Sequence, residues 1–351
     1  AAIGGYSQAA GTNATAVGGA ALATKDNATA VGNNAVATNI DATAVGKSAS
    51  ASGVNSTAIG GSARSIGDNA TAIGRGAYSE GQSSTAVGVV AKTFGDYGTA
   101  VGVNALSQGS GATATGASAE ATADRTAAYG QNSSASGLAA TALGDASKAS
   151  GENSTATGTN AAASADNTSA YGSGSIASAN GATALGQGAQ ATQANATAVG
   201  TGADAAAEGA VAVGAGARAT GSTAVGANAQ ATGLNSAAYG KDSVASGDNS
   251  TALGEFSQAT GAGATAVGEG AVAAHNNAAA FGQGVSTTRD NQQVFGDTSN
   301  TYTMTGISSA ASRAAQTGPL QVVTVDSNGN LAGDNGVLQS TVDSHGTRIT
   351  T

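Results

Sequence analysis

The run Ala51–Gly74, ASGVNSTAIGGSARSIGDNATAIG, states one phrase twice. Thr57-Ala58-Ile59-Gly60 returns as Thr71-Ala72-Ile73-Gly74, and the turn-like triplets Gly53-Val54-Asn55 and Gly67-Asp68-Asn69 stand before them. The closing glycine recurs at Gly4, Gly18, Gly32, Gly46, Gly60, Gly74, Gly88 and Gly102, then every 14 residues to Gly214. One step of 12 leads to Gly226, and the 14-residue beat resumes to Gly296, making 22 copies. Self-similarity of this length marks a stack of one repeated structural unit.

Each copy holds two short extended pieces. The first ends in a column of larger residues, Val17, Val31, Val45, Ile59 and Ile73 among them, after Ala in every copy but the last, where Val294 stands, and usually after Thr-Ala. Thr-Ala-Val is β-prone and carries no charge, as expected where neither face of a strand meets much water. The second piece alternates small, free, small, as in Ala63-Arg64-Ser65, Ala77-Tyr78-Ser79, Ala91-Lys92-Thr93 and Ala105-Leu106-Ser107. That is period-two patterning with small residues inward and a free choice outward. Gly and Asn close the turns because they tolerate positive φ. Between Gly214 and Gly226 both pieces survive and only the turn is shorter, at Gly221-Ser222. A helix is disfavoured, since a fixed Gly in every two heptads costs about 1 kcal/mol each relative to Ala. The repeat therefore predicts an all-β parallel β-solenoid of 14-residue, two-strand rungs.

Composition agrees with a fold that has no ordinary core. Of 351 residues 55 are Gly, only 3% are aromatic and only 9% are charged. A net charge of -9, with no cluster of Lys and Arg, excludes phosphate-neutralising nucleic-acid binding and disfavours anionic membrane surfaces. There is no cysteine, hence no disulfide or thiolate site. No secretory leader or long apolar span is present, and Ala1-Ala2-Ile3-Gly4 already stands inside the phrase, so the chain is expected to be part of something longer. So thin a rung buries little, and association through the second face of Thr-Ala-Val is the expected remedy.

The phrase resembles the head repeats of YadA-like trimeric autotransporter adhesins, of the type Asn-Ser-x-Ala-[Ile/Val]-Gly. Asn55-Ser56-Thr57-Ala58-Ile59-Gly60 and Asn249-Ser250-Thr251-Ala252-Leu253-Gly254 match it, and the resemblance covers about residues 1 to 296. It implies a left-handed roll, a homotrimer, an outer-membrane anchor in a C-terminal barrel absent from this chain, cell-surface display, and adhesion to a host matrix protein or cell-surface ligand. The chain departs from the family phrase in having Thr where Val is common. Residues 1–296 are expected to form the head, 297–336 a neck or small β connector, and 337–351 the start of a coiled-coil stalk. In the connector, Thr301–Met304 and Val322–Val325 are expected strands, Asp326–Asn330 a hairpin turn, and Gly318-Pro319 a break. Leu338, Val342, His345 and Ile349 follow a/d spacing.

No catalytic residue, metal site or cofactor is expected. Val45-Gly46-Lys47-Ser48 resembles the end of a phosphate loop, but Asp41 stands where such a loop needs Gly. Asn-x-Thr recurs at Asn13, Asn27, Asn55, Asn69, Asn153, Asn195 and Asn249, which turn Asn before strand Thr explains without glycosylation. His275 replaces a turn Gly and is expected to be solvated and unpaired. The free outward column supplies a candidate adhesive surface, Tyr78, Leu106, Arg64 and Lys92, with further apolar members such as Leu22, Val36, Ile176, Val244 and Val272. Two other readings stay open: a structural spacer, and an ice-binding solenoid whose ladder of Thr15, Thr29, Thr43 and their successors faces water. The ladder reading needs those threonines exposed, whereas a roll is expected to bury them.

Overall fold

The computed structural model describes residues 1–317, 320–335, 337 and 341. They fall into two compact units, Ala1–Asp297 and a second beginning at Thr298. In the first, each phrase between the two ends of the stack folds into one rung with a three-residue strand and a two-residue strand, for example Thr57–Ile59 and Arg64–Ser65. Successive rungs pair in parallel and in exact repeat register: Thr57 with Thr71, Ala58 with Ala72 and Ile59 with Ile73 in the first sheet, Arg64 with Tyr78 and Ser65 with Ser79 in the second. The unit is an all-β parallel β-solenoid. At a strand spacing of about 4.8 Å, the 22 strands of its first sheet extend the stack to roughly 100 Å.

Two kinds of glycine permit the stacking. Gly60 has φ +130°, and a Cβ there would lie 2.5 Å from the Gly74 carbonyl oxygen of the next rung. Gly53 needs no positive φ, but its Cβ would fall 2.1 Å from the Gly67 oxygen. Positive φ is met instead by the turn residue that follows, Asn55 at 55° and Asn69 at 58°. The asparagines of the Asn-x-Thr strings all hold this turn position, and Asn55 Nδ2 donates to Asn69 Oδ1 of the next rung at 3.3 Å. The turns also stay in the backbone ladder, with Asn55 N–H donating to the Ile40 carbonyl at 3.0 Å. Gly46 of the Gly-Lys-Ser string belongs to the same column as Gly60, at φ +133°.

The interior is alanine. Ala58, Ala63, Ser65 and Ala70 are completely buried, and the same four columns are small in every complete rung. Thr93, Thr126 and Thr168 are the largest side chains fully enclosed. Buried hydroxyls mostly find carbonyls in their own turn, as Ser56 Oγ does by donating to Gly53 O at 2.7 Å.

In the single chain only one face of Thr-Ala-Val is enclosed, and the larger column lies on the other, the face expected to be covered by association. Ala points inward, while Thr and Val or Ile point away from the roll, with Thr71 half-buried and Ile73 still 37% exposed. Alternation forces this: Thr and Ile lie on one face and Ala on the other, and the lumen between the two sheets is filled mainly by Ala and Ser, with a few Thr and Val285. The Thr ladder is consequently outward in the roll itself, so its exposure does not separate a roll from a ladder.

The 12-residue rung keeps its pairing. Val211 lies opposite Thr223 and Arg218 opposite Gln230, so the two missing residues came out of the turn.

In the second unit, Val323–Val325 and Leu331–Gly333 form an antiparallel hairpin. Asp326 closes it, accepting from the Asn328 and Asn330 backbone N–H groups and from Asn330 Nδ2. Thr301–Met304 is not a strand. A short helix, Ala310–Ala315, is capped by Ser309, whose hydroxyl accepts from Ser312 N–H. The Gly318-Pro319 break and the Leu338, Val342, His345, Ile349 spacing lie outside the described residues.

Candidate functional site

Stacking turns a free sequence position into a physical column. Arg64, Tyr78, Lys92 and Leu106 occupy consecutive rungs of the second sheet and pair in register, with Glu120 next. The four residues singled out in the sequence therefore stand side by side, about 4.8 Å apart at the backbone. The Arg64 guanidinium carbon lies 5.5 Å from the Tyr78 ring centroid, within cation–π range. Tyr78 also meets Phe94 at 5.5 Å between centroids with the rings tilted by 47°. Its hydroxyl donates to Glu80 Oε2 at 2.8 Å. That bond raises the phenol above the ordinary tyrosine value, burial and the Glu80 charge add to the rise, and Arg64 opposes it.

Beside these aromatics a shallow groove is lined by Val90, Lys92, Phe94, Leu106, Gln108 and Glu120, with Asn104 at its edge. Phe94 is 40% exposed, Tyr97 64% and Val103 50%, which gathers unusual apolar surface around one rung. Val90 and Tyr97 have φ 60° and 58°, at turn positions where this chain mostly places Asn, Asp, Gly, Ser or Ala, with Tyr6, Arg125 and Phe256 as the other bulky residues. A left-handed conformation costs an ordinary L residue about 1–2 kcal/mol, and a β-branched one is a true outlier.

The same rung also breaks the interior rule. Thr93 fills a column held by Ala or Ser in the neighbouring rungs, and its hydroxyl lies 3.0 Å from Ser79 Oγ. Ser79 Oγ in turn lies 2.6 Å from Ser84 Oγ, which donates to the Gly81 carbonyl at 2.7 Å. Opposite, Gly98 replaces the usual Ala, and a Cβ there would come within 2.9 Å of Ser107 Oγ. Extra volume at 93 is matched by volume removed at 98. A rung that departs from the repeat inside and out at once marks a specialised place.

Phe94, Val90 and Tyr97 were missed by reading only the outward strand position. They stand in turn columns, and comparison of each turn column across rungs exposes them as the bulky exceptions. The remaining outward apolars are more dispersed: Leu22 pairs with Val36, while Ile176, Val244 and Val272 have Ala or Gln beside them on the strand column. A smaller echo surrounds Phe256, at φ 58°, where Lys241 Nζ lies 4.9 Å over the ring and 3.1 Å from Glu255. Hydrogen bonds to Glu255 and Asp242 raise the Lys241 ammonium above its ordinary value. His275 is not unpaired: its Nδ1 lies 3.1 Å from Thr287 Oγ1. No group of His, Asp and Glu among the described residues is arranged to hold a metal.

No protein of curated function matches the chain. Among solved structures it is similar to the crystal structure of the collagen-binding domain of the Yersinia adhesin YadA, at 15% identity over 83% of this chain and 84% of that one, with a TM-score of 0.17. The model of the YadA head domain repeat, which holds two copies of the phrase, matches residues 23–49, 51–77 and 79–105, and then overlapping segments from 135–161 through 259–284. These segments span more than half of the chain and follow the rungs described above, and the chain belongs to the YadA head domain repeat family.

Proposed function

We propose that this solenoid is the adhesive head of a bacterial surface protein. It presents the Arg64, Tyr78, Phe94 and Leu106 cluster to a matrix protein or cell-surface ligand of a host and performs no catalysis. The observation that carries the reading is the rung between Gly88 and Gly102, where two bulky residues are held in a left-handed conformation beside the groove. Strain kept in an otherwise regular stack is most economically explained by contact with a ligand. Three copies associate through the outward Thr and Val or Ile face of the first sheet, and a segment beyond this chain tethers the assembly to the outer membrane. That face carries no charged residue in any of its 22 strands, which suits burial. The test is binding of the purified chain to immobilised collagen, fibronectin and whole cells. Tyr78→Ser with Phe94→Ser is expected to lower retention at least tenfold at unchanged circular dichroism, and equal retention of the two proteins would remove the cluster from the account.

One observation favours a second reading. Thr15, Thr29 and Thr43 stand in strict register on the outward face, each half-buried only, as an ice-binding ladder requires. The two readings compete for one surface. Thermal hysteresis in a solution of the chain would support the ladder, and its absence at millimolar concentration would leave the face to the sister copies.

A further inference from the structure

The groove beside Phe94 lies in a part of the second sheet unlike the rest of it. Two residues beyond each free outward position stands a second outward column, still tied into the ladder: Phe94 N–H donates to the Ser107 carbonyl at 2.9 Å and Gln108 N–H to the Ala121 carbonyl at 2.8 Å. In four consecutive rungs this column holds Ile66, Glu80, Phe94 and Gln108, and in every other rung, from Ala10 to Thr288, it holds Ala, Ser or Thr. The enlarged rungs are the ones that carry Arg64, Tyr78, Lys92 and Leu106.

The groove runs across the stack. One rung lines it with Val90, Lys92 and Phe94 and the next with Asn104, Leu106 and Gln108, so each row follows a strand while the two rows are only about 4.8 Å apart. Its volume of about 280 Å³ falls short of the roughly 300–1,000 Å³ that enclose a small molecule. Along the column the order is Lys92, Leu106, Glu120, which sets an ammonium and a carboxylate one rung to either side of an apolar residue. The side chains of Lys92, Asn104, Gln108 and Glu120 make no hydrogen bond or ion pair among the described residues. Elsewhere polar side chains on successive rungs do pair, as Asn55 does with Asn69, Lys241 with Glu255 and Gln283 with Glu269.

We propose that the groove takes an extended single strand of another polypeptide, laid flat across the stack at the level of Leu106. This rests on the adhesive reading above and names the kind of ligand. An extended chain repeats every two residues, about 6.6 Å, which is the spacing of Lys92 and Phe94 along their own strand, so its alternate side chains meet Val90, Leu106 and Phe94 in turn. A polyproline-type chain repeats every three residues, about 9.3 Å, and falls out of step. Both edges of an extended chain carry N–H and C=O groups, and on a strand laid this way those edges point along the stack. One edge faces Lys92, which donates to carbonyls, and the other faces Glu120, which accepts from N–H groups. Asn104 and Gln108, which do both, stand at the two ends of the Leu106 row. Opposite charges on the two sides suit the polar edges of a neutral main chain, whereas a ligand of one net sign meets attraction on one side and repulsion on the other. The ligand is thus an uncharged segment with apolar residues at alternate positions.

The experiment follows the fluorescence anisotropy of labelled seven-residue peptides added to the full chain and to Glu120→Ala. One peptide alternates valine with serine, a second carries N-methyl groups on its valines, a third on its serines, and a fourth is proline-rich. Each methylated peptide loses the donors of one edge, because the N–H groups of alternate residues lie on opposite sides of an extended chain. The alternating peptide is expected to bind and the proline-rich one not. One methylated peptide, and only one, is expected to bind about tenfold more weakly, and Glu120→Ala to weaken the unmethylated peptide to the same level with no further loss for that methylated one. Equal binding of the two methylated peptides, or a preference for the proline-rich one, overturns the extended-strand inference. So does failure of every peptide to bind while Tyr78→Ser with Phe94→Ser still lowers retention on immobilised matrix protein, a result that leaves the adhesive reading standing. No peptide binding together with unchanged retention removes both.

Discussion

Asp68 Oδ1 accepts the backbone N–H of Val54, one rung earlier, at 2.8 Å. The same bond joins Asp26 to Thr12, Asp96 to Gln82, Asp124 to Ser110, Asp166 to Glu152, Asp248 to Leu234 and Asp290 to Asn276. The carboxylate does for the turn what the ladder does for the strands, by satisfying a donor that the turn geometry would leave to water. A charge-assisted bond of this kind is worth about 1.5–3 kcal/mol where it is protected, and less on this exposed edge. Asp68→Ala is expected to lower the stability of the solenoid by about 1 kcal/mol, and Asp68→Asn by less, in urea denaturation. Identical midpoints for all three proteins would show that the bond contributes nothing.

Adjacent glycines differ sharply in what they tolerate. At Gly60 an alanine meets both a φ of +130° and a carbonyl oxygen at 2.5 Å, and backbone cannot yield as a side chain can. At Gly61 the nearest atom is 4.0 Å away. Gly60→Ala is expected to cost more than about 2 kcal/mol, with Gly61→Ala close to neutral. Thermal melts of the two variants decide it, and similar losses for both would contradict the stacking geometry.

The Tyr78 phenol gives a spectroscopic handle on the cluster. Its pKa is raised, first by the hydrogen bond to Glu80, so the phenolate forms at higher pH than in an exposed tyrosine. With a raised folded-state pKa, the contribution to stability is complete below the ordinary tyrosine range and is lost as pH climbs through the folded value. The absorbance difference between the chain and Tyr78→Phe is expected to appear later in the titration than that of a free tyrosine. Glu80→Gln is expected to bring it earlier. A Tyr78 signal unmoved by Glu80→Gln would mean the bond is absent in solution.

Lys92 and Glu120 line the groove together with an apolar wall of Phe94 and Leu106. If this wall carries ligand contact, Leu106→Ser reduces retention on the ligand surface several-fold, and Ile176→Ser, an outward apolar flanked by Ala162 and Gln190, does not. Equal effects of the two would point to a diffuse, non-specific face.

The fold was legible because the phrase repeats so often that period, strand pieces and turns each appear many times over. Which side of Thr-Ala-Val faces inward was left open, because size and constancy mark different positions of the phrase. Constancy was the better mark. Ala58, Ala72 and their equivalents hardly vary, whereas the position beside them ranges from Thr115 to Tyr129, and only an outward position accepts such a range. The four column residues of the candidate site could be named from the alternation alone. Phe94, Val90 and Tyr97 could not, since turns obey no alternation and their company with Tyr78 exists only once the rungs are stacked. The helix at Ala310–Ala315 escaped notice because six small and polar residues carry no amphipathic stripe, and its capping serine is one among many.

The stacking itself is tested most directly by distances along one column. The chain has no cysteine, so pairs can be introduced cleanly and spin-labelled. Labels at Arg64 and Lys148, six rungs apart, are expected about 29 Å from each other, and labels at Ser50 and Gln190, ten rungs apart, about 48 Å, in chains diluted with unlabelled protein. Distances that grow in proportion to rung number are the expected result. Distances that do not grow with rung number, or that stay below about 20 Å for both pairs, would contradict a solenoid of stacked 14-residue rungs.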